Sequence, residues 1–511
     1  MHAIDLDSLT LPDVLRGALD GRPVTVLGLA RSGVALARFL HDMGARVTVY
    51  DGRPAAQLER SIALLGERQI NLVLGPDADP ATTWADAALV ATSPSITPDF
   101  PTTEPRLRAG LQALVAARRG GDQSRPALVS ESDLFLRLCP SPTIGITGTK
   151  GKTTTSSLIH AILSADPLHP AVLGGNIGTP LVERLPDLTP NHRVVVELSE
   201  LQLPSLSRGT TVAVYTNVTS DHLDRHGSLE AYRRVKRRLA ELVDPDGALV
   251  LNLEDPVVGG YAGLGTAPVL LYRNDAPVPG GLGVLDGWIV SAAVERLPIA
   301  GGGTAATGPG GAIMPVGELA IPGRHNVLNA LAAIAVGMLF GVAPDAIRRA
   351  AGSFTGVEHR LQSVGLVDGV RYVNDSQGTQ PDAVIAALRA FPAPVVLIAG
   401  GRDKGVDLSD MIRVAAGTAF GAVLIGESGP LLQERLTAAG LGRTARAASM
   451  DEAVVAATAM AREARAGLAD DVVATVLMSP AAASFDMFED YAARGRAFTA
   501  AVARIAGSGG G

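Results

Sequence analysis

The chain has 511 residues, a formal net charge of −7, 47% hydrophobic and 19% charged residues. Its length suits roughly two to four domains with their own cores, its composition excludes a disordered chain, and its acidic balance with dispersed arginines offers no basic face for nucleic acid. A single cysteine, Cys139, excludes an internal disulfide, and the start MHAIDLDSLTLPDVL has no signal-peptide pattern, so a soluble cytoplasmic protein with small-molecule partners and no membrane insertion is expected.

Residues 23–51 read as a β-α-β unit: an apolar run, a glycine turn, a helical pattern, then a second apolar run ending in Asp51. The turn from Gly28 to Gly33 resembles GxGxxG with Ala30 at the middle glycine. A dinucleotide at the helix N-terminus and a plain tight turn both fit it. The strand ALVATSPSI ends at Ser93-Pro94-Ser95, the ligand-binding end of a parallel sheet. A second unit starts at Thr143 with TIGITGTKGKTTTSSLIHAIL and continues through the strands RVVVEL and TVAVYTNV. Residues 258–322 turn rich in glycine and proline, which suits short strands, hairpins and loops. The apolar stretch Val327 to Ala343 is too short to span a membrane and contains Asn329, so a buried core helix is expected. A third unit follows from near Ser363, with strands VRYVND, PVVLIAGG, GAVLIGE and ATVLMSP. The fold class is α/β in three domains: Rossmann-like at 1–140, a central phosphate-loop ATPase with a mostly parallel sheet at 141–357, and Rossmann-like again at 358–511.

Gly148-Thr149-Lys150-Gly151-Lys152-Thr153-Thr154 follows an apolar strand and opens a helix. Glycines let backbone N–H groups close on phosphate oxygens, Lys152 can reach the β- and γ-phosphates, and the Thr153 hydroxyl can hold Mg²⁺. Ile146 stands where the general loop has glycine, so this is a variant, and ATP or GTP binding is expected. Lysine itself is scarce: only Lys150, Lys152, Lys236 and Lys404 occur beside 40 arginines. A chain that writes arginine elsewhere has kept lysine where a deprotonatable amine or a compact cation serves better. Glu197, ending RVVVEL, can ligate a metal, as can His222 between Asp221 and Asp224, although a lone histidine there also reads as a surface or capping residue.

Together GTKGKTT at 148–154, GGNIGTP at 174–180, ELSELQL at 197–203, TNVTSDHLDRHG at 216–227, YRRVKRRL at 232–239, GRHNVLNALAA at 323–333 and EHR at 358–360 resemble the Mur ligase family, in order and nearly end to end. Within it, NDSQGTQPDAVIAAL at 374–388, GGRDKGVD at 400–407 and SPAAASFDMF at 479–488 are similar to the branch that adds D-glutamate to UDP-N-acetylmuramoyl-L-alanine.

The resemblance implies an ATP-dependent ligase in peptidoglycan precursor synthesis, acting as a monomer through an acyl phosphate. It implies two Mg²⁺ sites, one on Thr153 and Glu197, the other on His222 and a Lys236 carbamylated by CO₂. It places adenine and ribose on Asn329 and Asp375, and phosphates near Arg360. The UDP end falls to Arg31, Ser32, Asp51, Arg53 and Ser95, the muramoyl part to Asn176 and Gln202. Glutamate falls to Thr379, Lys404, Ser484, Phe485 and Tyr491, with the C-terminal domain closing onto the central one. Gln377 departs from the branch, which usually has lysine there, and Glu200 and Leu201 depart from its common Ser and Phe. The same chemistry on L-glutamate or another amino acid, and a nucleotide-binding relative without catalysis, stay open at this point.

Overall fold

The computed structural model describes residues 3–100, 103–219, 226–292, 307–321, 323–403, 405–469 and 471–508. They divide into two compact units, 1–354 and 355–511, taken separately below.

The first unit holds two sheets. Strands β1 Pro23–Leu27, β2 Arg46–Asp51, β3 Asn71–Leu74, β4 Leu89–Thr92 and β5 Ala127–Ser130 form a parallel sheet in the order β3-β2-β1-β4-β5. The order reverses beside β1, and the glycine turn after β1 lies at that reversal, where open α/β sheets bind ligands. The second sheet contains β6 Thr143–Thr147, β7 Ala171–Gly175, β8 Arg193–Glu197, β9 Val212–Tyr215, β10 Ala248–Asn252, β11 Val269–Tyr272, β12 Gly281–Leu285, β13 Trp288–Ala292 and β14 Ala312–Pro315. Its order is β14-β13-β12-β11-β10-β9-β6-β8-β7, parallel from β7 to β12 and antiparallel through β12-β13-β14. The antiparallel end lies in the glycine- and proline-rich stretch, as expected of hairpins there.

β6, β8, β9 and β10 are buried at every residue, which is why they read as unbroken apolar runs rather than alternating ones. The helix Arg324–Leu339 is buried on nearly all sides against this sheet, which explains an apolar stretch too short for a bilayer. Among the described residues no helix is long and apolar enough to cross a membrane. One apolar cluster runs from Val26 and Leu36 through Leu181, Leu185 and Leu203 to Val194 and Tyr215, so the two sheets share a core.

In the second unit, β15 Gln362–Val367, β16 Val370–Asn374, β17 Val395–Gly400, β18 Gly421–Ile425, β19 Thr444–Arg446 and β20 Ala474–Met478 make a six-stranded sheet. The order is β15-β16-β20-β17-β18-β19, antiparallel only at β15-β16. Apolar clusters cover both faces. All three sheets match the expected α/β class.

Candidate active site

In the nine-stranded sheet β6 lies between β8 and β9, with Ile146 opposite Glu197 and Thr147 opposite Tyr215. The loop after β6, the carboxylate ending β8 and the Thr216-Asn217 pair after β9 therefore leave the sheet side by side. Gly148 and Gly151 have φ of 148° and 85°. A Cβ at Gly148 would collide with the Thr216 hydroxyl, and one at Gly151 would sit 2.6 Å from Asn329 Oδ1, so the loop needs glycine twice. Thr149 N–H donates to Asn217 O at 2.7 Å and Lys150 N–H to Asn217 Oδ1 at 2.9 Å. In return Thr216 Oγ1 and Asn217 Nδ2 donate to Lys150 O at 2.6 and 2.9 Å. The helix Lys152–Leu163 starts directly, with no side-chain cap from Gly151. Its positive end therefore faces the loop's concavity, an anion-binding arrangement. Lys152 Nζ folds back onto Gly148 O and Thr149 O at 3.0 and 2.9 Å. Asn329 accepts from Thr155 Oγ1 at 3.2 Å, beside Gly151.

Glu197 is 1% exposed. Its Oε1 accepts from Asn176 Nδ2 at 2.7 Å, and Asn176 N–H donates to Glu197 O at 2.9 Å. Its Oε2 is buried and has no hydrogen-bond partner among the described residues. An orphaned carboxylate oxygen in a dry site is costly unless a cation faces it, and carboxylate and hydroxyl oxygens are the hard donors that Mg²⁺ takes. Thr153 lies buried in the first helical turn of the loop. The residues present thus fit a Mg²⁺ ion. His222, Asp221 and Asp224 lie outside the described residues.

The helix Leu229–Leu242 buries Tyr232, Lys236, Leu239 and Ala240 and exposes Arg233, Arg234 and Arg237, a division set by helical spacing. Lys236 is fully buried, its Nζ donating to Gly148 O at 3.0 Å and Thr147 Oγ1 at 3.3 Å. Its Nζ also lies 5.5 Å from the Tyr232 ring centre, and the Tyr232 hydroxyl is 2.9 Å from Thr149 Oγ1. Tyr232 was not singled out from the sequence, although its four-residue spacing from Lys236 places both on one face.

In the five-stranded sheet, Asp51 accepts from Leu29 N–H at 2.8 Å and pairs with Arg53 at 2.8 Å. Burial pushes its carboxyl up, but the Arg53 guanidinium and two backbone N–H groups more than offset that, and the group lies below its ordinary value. Ser32 is half-buried and Ser95 exposed. Ser93, two residues earlier, has an Oγ that is buried without a partner among the described residues and faces Gly28 and Gly33. Arg31 reaches the loop after β7, donating to Gly178 O at 2.8 Å and Asn176 O at 3.1 Å. Gln202 is 4% exposed, with its amide committed to Ser199 and Ser132 at 2.9 Å. A cavity of about 310 Å³ opens nearby, between Thr97, Gln112, Arg119, Ser130 and Ser205, and none of the expected site residues lines it.

In the second unit, Asp375 is buried at the end of β16, accepting from Ser479 Oγ at 2.6 Å and Leu361 N–H at 3.1 Å. Burial pushes its carboxyl up to about 6, against the pull of those bonds and Arg360. Gln377 N–H and Nε2 donate to His359 O and Glu358 O at 2.9 and 3.2 Å, so its side chain braces the preceding turn. Ser484 is buried, Thr379 half-buried, Phe485 and Tyr491 exposed; Lys404 lies outside the described residues.

Arg494, which no sequence pattern marked, is fully buried. It donates to Ser376 Oγ and O at 3.0 and 2.9 Å and to Ala482 O at 3.1 Å. A Cβ on Gly401 would lie 3.2 Å from its Nη1. One guanidinium thus joins the loops leading to Thr379 and Ser484 and lies close against Gly401. Burial pushes it down to about 10, with Asp486 opposing.

Residues 146–337 match the Mur ligase middle domain and residues 359–482 the Mur ligase glutamate ligase domain. The UDP-N-acetylmuramoylalanine–D-glutamate ligase of Symbiobacterium thermophilum is 38% identical over 479 residues, covering 93% of this chain and 97% of that one. The protein of the same name from Roseiflexus is 37% identical over 498 residues, covering 94% and 98%. Among solved structures, UDP-N-acetylmuramate-alanine ligase from Thermotoga maritima aligns with a TM-score of 0.50 at 18% identity, covering 95% of this chain and 99% of that one, a likeness of fold.

Proposed function

The chain belongs to the Mur ligase family, and on that premise we propose that it joins D-glutamate to UDP-N-acetylmuramoyl-L-alanine at the expense of ATP, in peptidoglycan synthesis. The reading is carried by the convergence at one sheet edge of the phosphate loop, the Glu197 carboxylate with its orphaned oxygen, and the buried Lys236.

Carboxylate and triphosphate are both anions, so the site must screen their repulsion and turn a carboxylate oxygen into a leaving group. The terminal carboxylate of the acceptor attacks the γ-phosphorus of ATP, the bond to the β-phosphate oxygen breaks, and ADP leaves. The free amine of glutamate attacks the resulting acyl phosphate at carbon. Phosphate departs with the C–O electron pair, and the amine loses a proton to solvent as the amide forms.

Residues Gly148 to Thr154 cradle the triphosphate, with Lys152 turning from Gly148 O and Thr149 O toward it. Thr153 and Glu197 would hold one Mg²⁺; His222 and Lys236, as its carbamate, would hold a second. When bound, these ions neutralise charge on the transferring phosphoryl group. Supporting the carbamate is the burial of Lys236: a dry site disfavours an ammonium, and only the neutral amine adds CO₂. Asn329 and Asp375 take adenine and ribose, and Arg360 the phosphates. The UDP end lies on Arg31, Ser32, Asp51, Arg53 and Ser95, and the muramoyl part against Asn176 and Gln202. Glutamate falls to Thr379, Lys404, Ser484, Phe485 and Tyr491. These roles divide the chain at 1–140, 141–357 and 358–511, and the protein acts as a monomer in the cytoplasm. The acyl phosphate is tested with ¹⁸O in the acceptor carboxylate: one labelled oxygen appears in released phosphate, and unlabelled phosphate alone would exclude this route.

A further inference from the structure

The turn Leu181–Asp187 follows Pro180 and has no side-chain cap of its own. Its first N–H groups face the helix that follows the five-stranded sheet's last strand. Glu131 opens the helix Glu131–Leu138 and is 3% exposed. The backbone N–H groups of Leu181 and Val182 face its carboxylate, and Ser132 Oγ donates to its Oε2 at 3.1 Å. Arg31, whose charge acts on the same carboxylate, binds the carbonyls of Asn176 and Gly178. Residues 176–182 are therefore held by Arg31 on their C=O groups, while the Glu131 carboxylate faces the N–H groups at their far end, each matched to backbone polarity.

The start of that segment holds the metal carboxylate, because Asn176 Nδ2 donates to Glu197 Oε1 at 2.7 Å. A second route runs the same way: Gln202 Nε2 donates to Ser132 Oγ, and Gln202 Oε1 accepts from Ser199, two residues beyond Glu197. A buried carboxyl is expensive, and an apolar side chain would fill its space at lower cost. Its position needs a reason other than packing.

We propose that Glu131 is a positioning residue for Glu197. Its bond from Ser132 leads through Gln202 to Ser199 beyond Glu197, and it faces the start of the turn at Leu181 from a different sheet while Arg31 holds the segment that carries Asn176. Asn176 then occupies Oε1 of Glu197 and leaves Oε2 for the cation. The proposal rests on the ligase reading for its activity arm only.

The test uses the full chain as wild type, E131A, E131Q, E131D, N176A and the E131A/N176A double variant. Mn²⁺ binding in the presence of ADP is followed by electron paramagnetic resonance, beside the Mg²⁺ dependence of phosphate release and the melting temperature. E131A is expected to weaken Mn²⁺ binding and raise half-saturating Mg²⁺ by about tenfold, at the low end for supporting shells of metal sites. The KM for glutamate stays unchanged, E131D recovers part of the loss, and E131Q falls between. N176A gives the same shift, and the double variant adds nothing to it, the signature of one pathway. Wild-type Mn²⁺ affinity in E131A, whatever its melting temperature, would overturn the proposal, as would additive losses in the double variant. If E131A fails to fold, E131Q and E131D carry the comparison. A wild type without ligase activity would strike the proposed function and leave the Mn²⁺ comparison readable.

Discussion

Lys236 donates from Nζ to the carbonyl oxygen of Gly148 at 3.0 Å, tying a fully buried lysine to the first glycine of the phosphate loop. Tyr232, one turn earlier, meets Thr149 at 2.9 Å. One helix face thus contacts two successive loop residues, and any chemical change at Lys236 is felt in the loop from Gly148.

Replacing Lys236 with arginine is expected to cost about 1–3 kcal/mol, because a larger head must enter a space with no exposure. Arginine also forms no carbamate. With ¹³C-bicarbonate, wild-type protein shows a carbamate carbon resonance that K236R lacks, and K236R loses activity by about a hundredfold or more, as expected when transition-state charge loses its partner. Full wild-type activity without that resonance would rule the carbamate out.

Glu197→Gln separates folding from metal binding. Glutamine keeps the Asn176 contact and removes an uncompensated charge, so without metal the variant melts at or above the wild-type temperature, by up to about 1 kcal/mol of added stability. Thermal stabilisation by Mg²⁺ with ADP disappears. An E197Q protein stabilised by Mg²⁺ and ADP as strongly as wild type would place the cation elsewhere.

Asp375 gives a pH dependence with a definite sign. Its folded value of about 6 exceeds the ordinary 3.8, so between these values the native state binds more protons than the unfolded one. Its contribution to stability therefore falls as pH rises from about 4 to about 6 and is flat above. Urea midpoints of wild type and D375N, compared across that window, should diverge in this direction. In the same window the KM for ATP should rise as pH falls, because a protonated carboxyl accepts ribose hydroxyls poorly. Parallel midpoint curves for the two proteins would contradict the assignment.

Arg494 holds the loops at Ser376 and Ala482 through one guanidinium. R494M leaves the carbonyls of Ser376 and Ala482 without these donors and should destabilise the protein by about 2–4 kcal/mol. R494K keeps the charge but reaches fewer acceptors. Assayed below its melting temperature, R494K should raise the KM for glutamate more than that for ATP. Equal changes in both would reduce Arg494 to a packing role.

The strands around both nucleotide-type turns were legible because they are buried on both faces and end in glycine or a polar residue: β1, β6, β8, β9 and β17 read directly from apolar runs. β3 and β7 escaped, since edge strands with mostly half-buried residues carry a weaker pattern. The phosphate loop, Glu197 and Lys236 were legible as motifs. The buried hydroxyl of Ser93, two residues before Ser95, faces Gly28 and Gly33, a contact between strand ends that no local pattern marks. Glu131 and Arg494 could not be read at all, because their partners lie 50 and 118 residues away in sequence and neither stands in a periodic pattern. Gln202 was legible within ELSELQL, but its bonds to Ser199 and to Ser132, 70 residues away, were not.

The most direct test is phosphate release from ATP by the purified protein with Mg²⁺, bicarbonate and UDP-N-acetylmuramoyl-L-alanine, comparing D-glutamate, L-glutamate and no amino acid, for wild type and Q377K. Gln377 braces the turn at His359 through its backbone and side chain, so release is expected to require D-glutamate in both proteins. Release with L-glutamate alone, or no release with any of the three, would contradict the account.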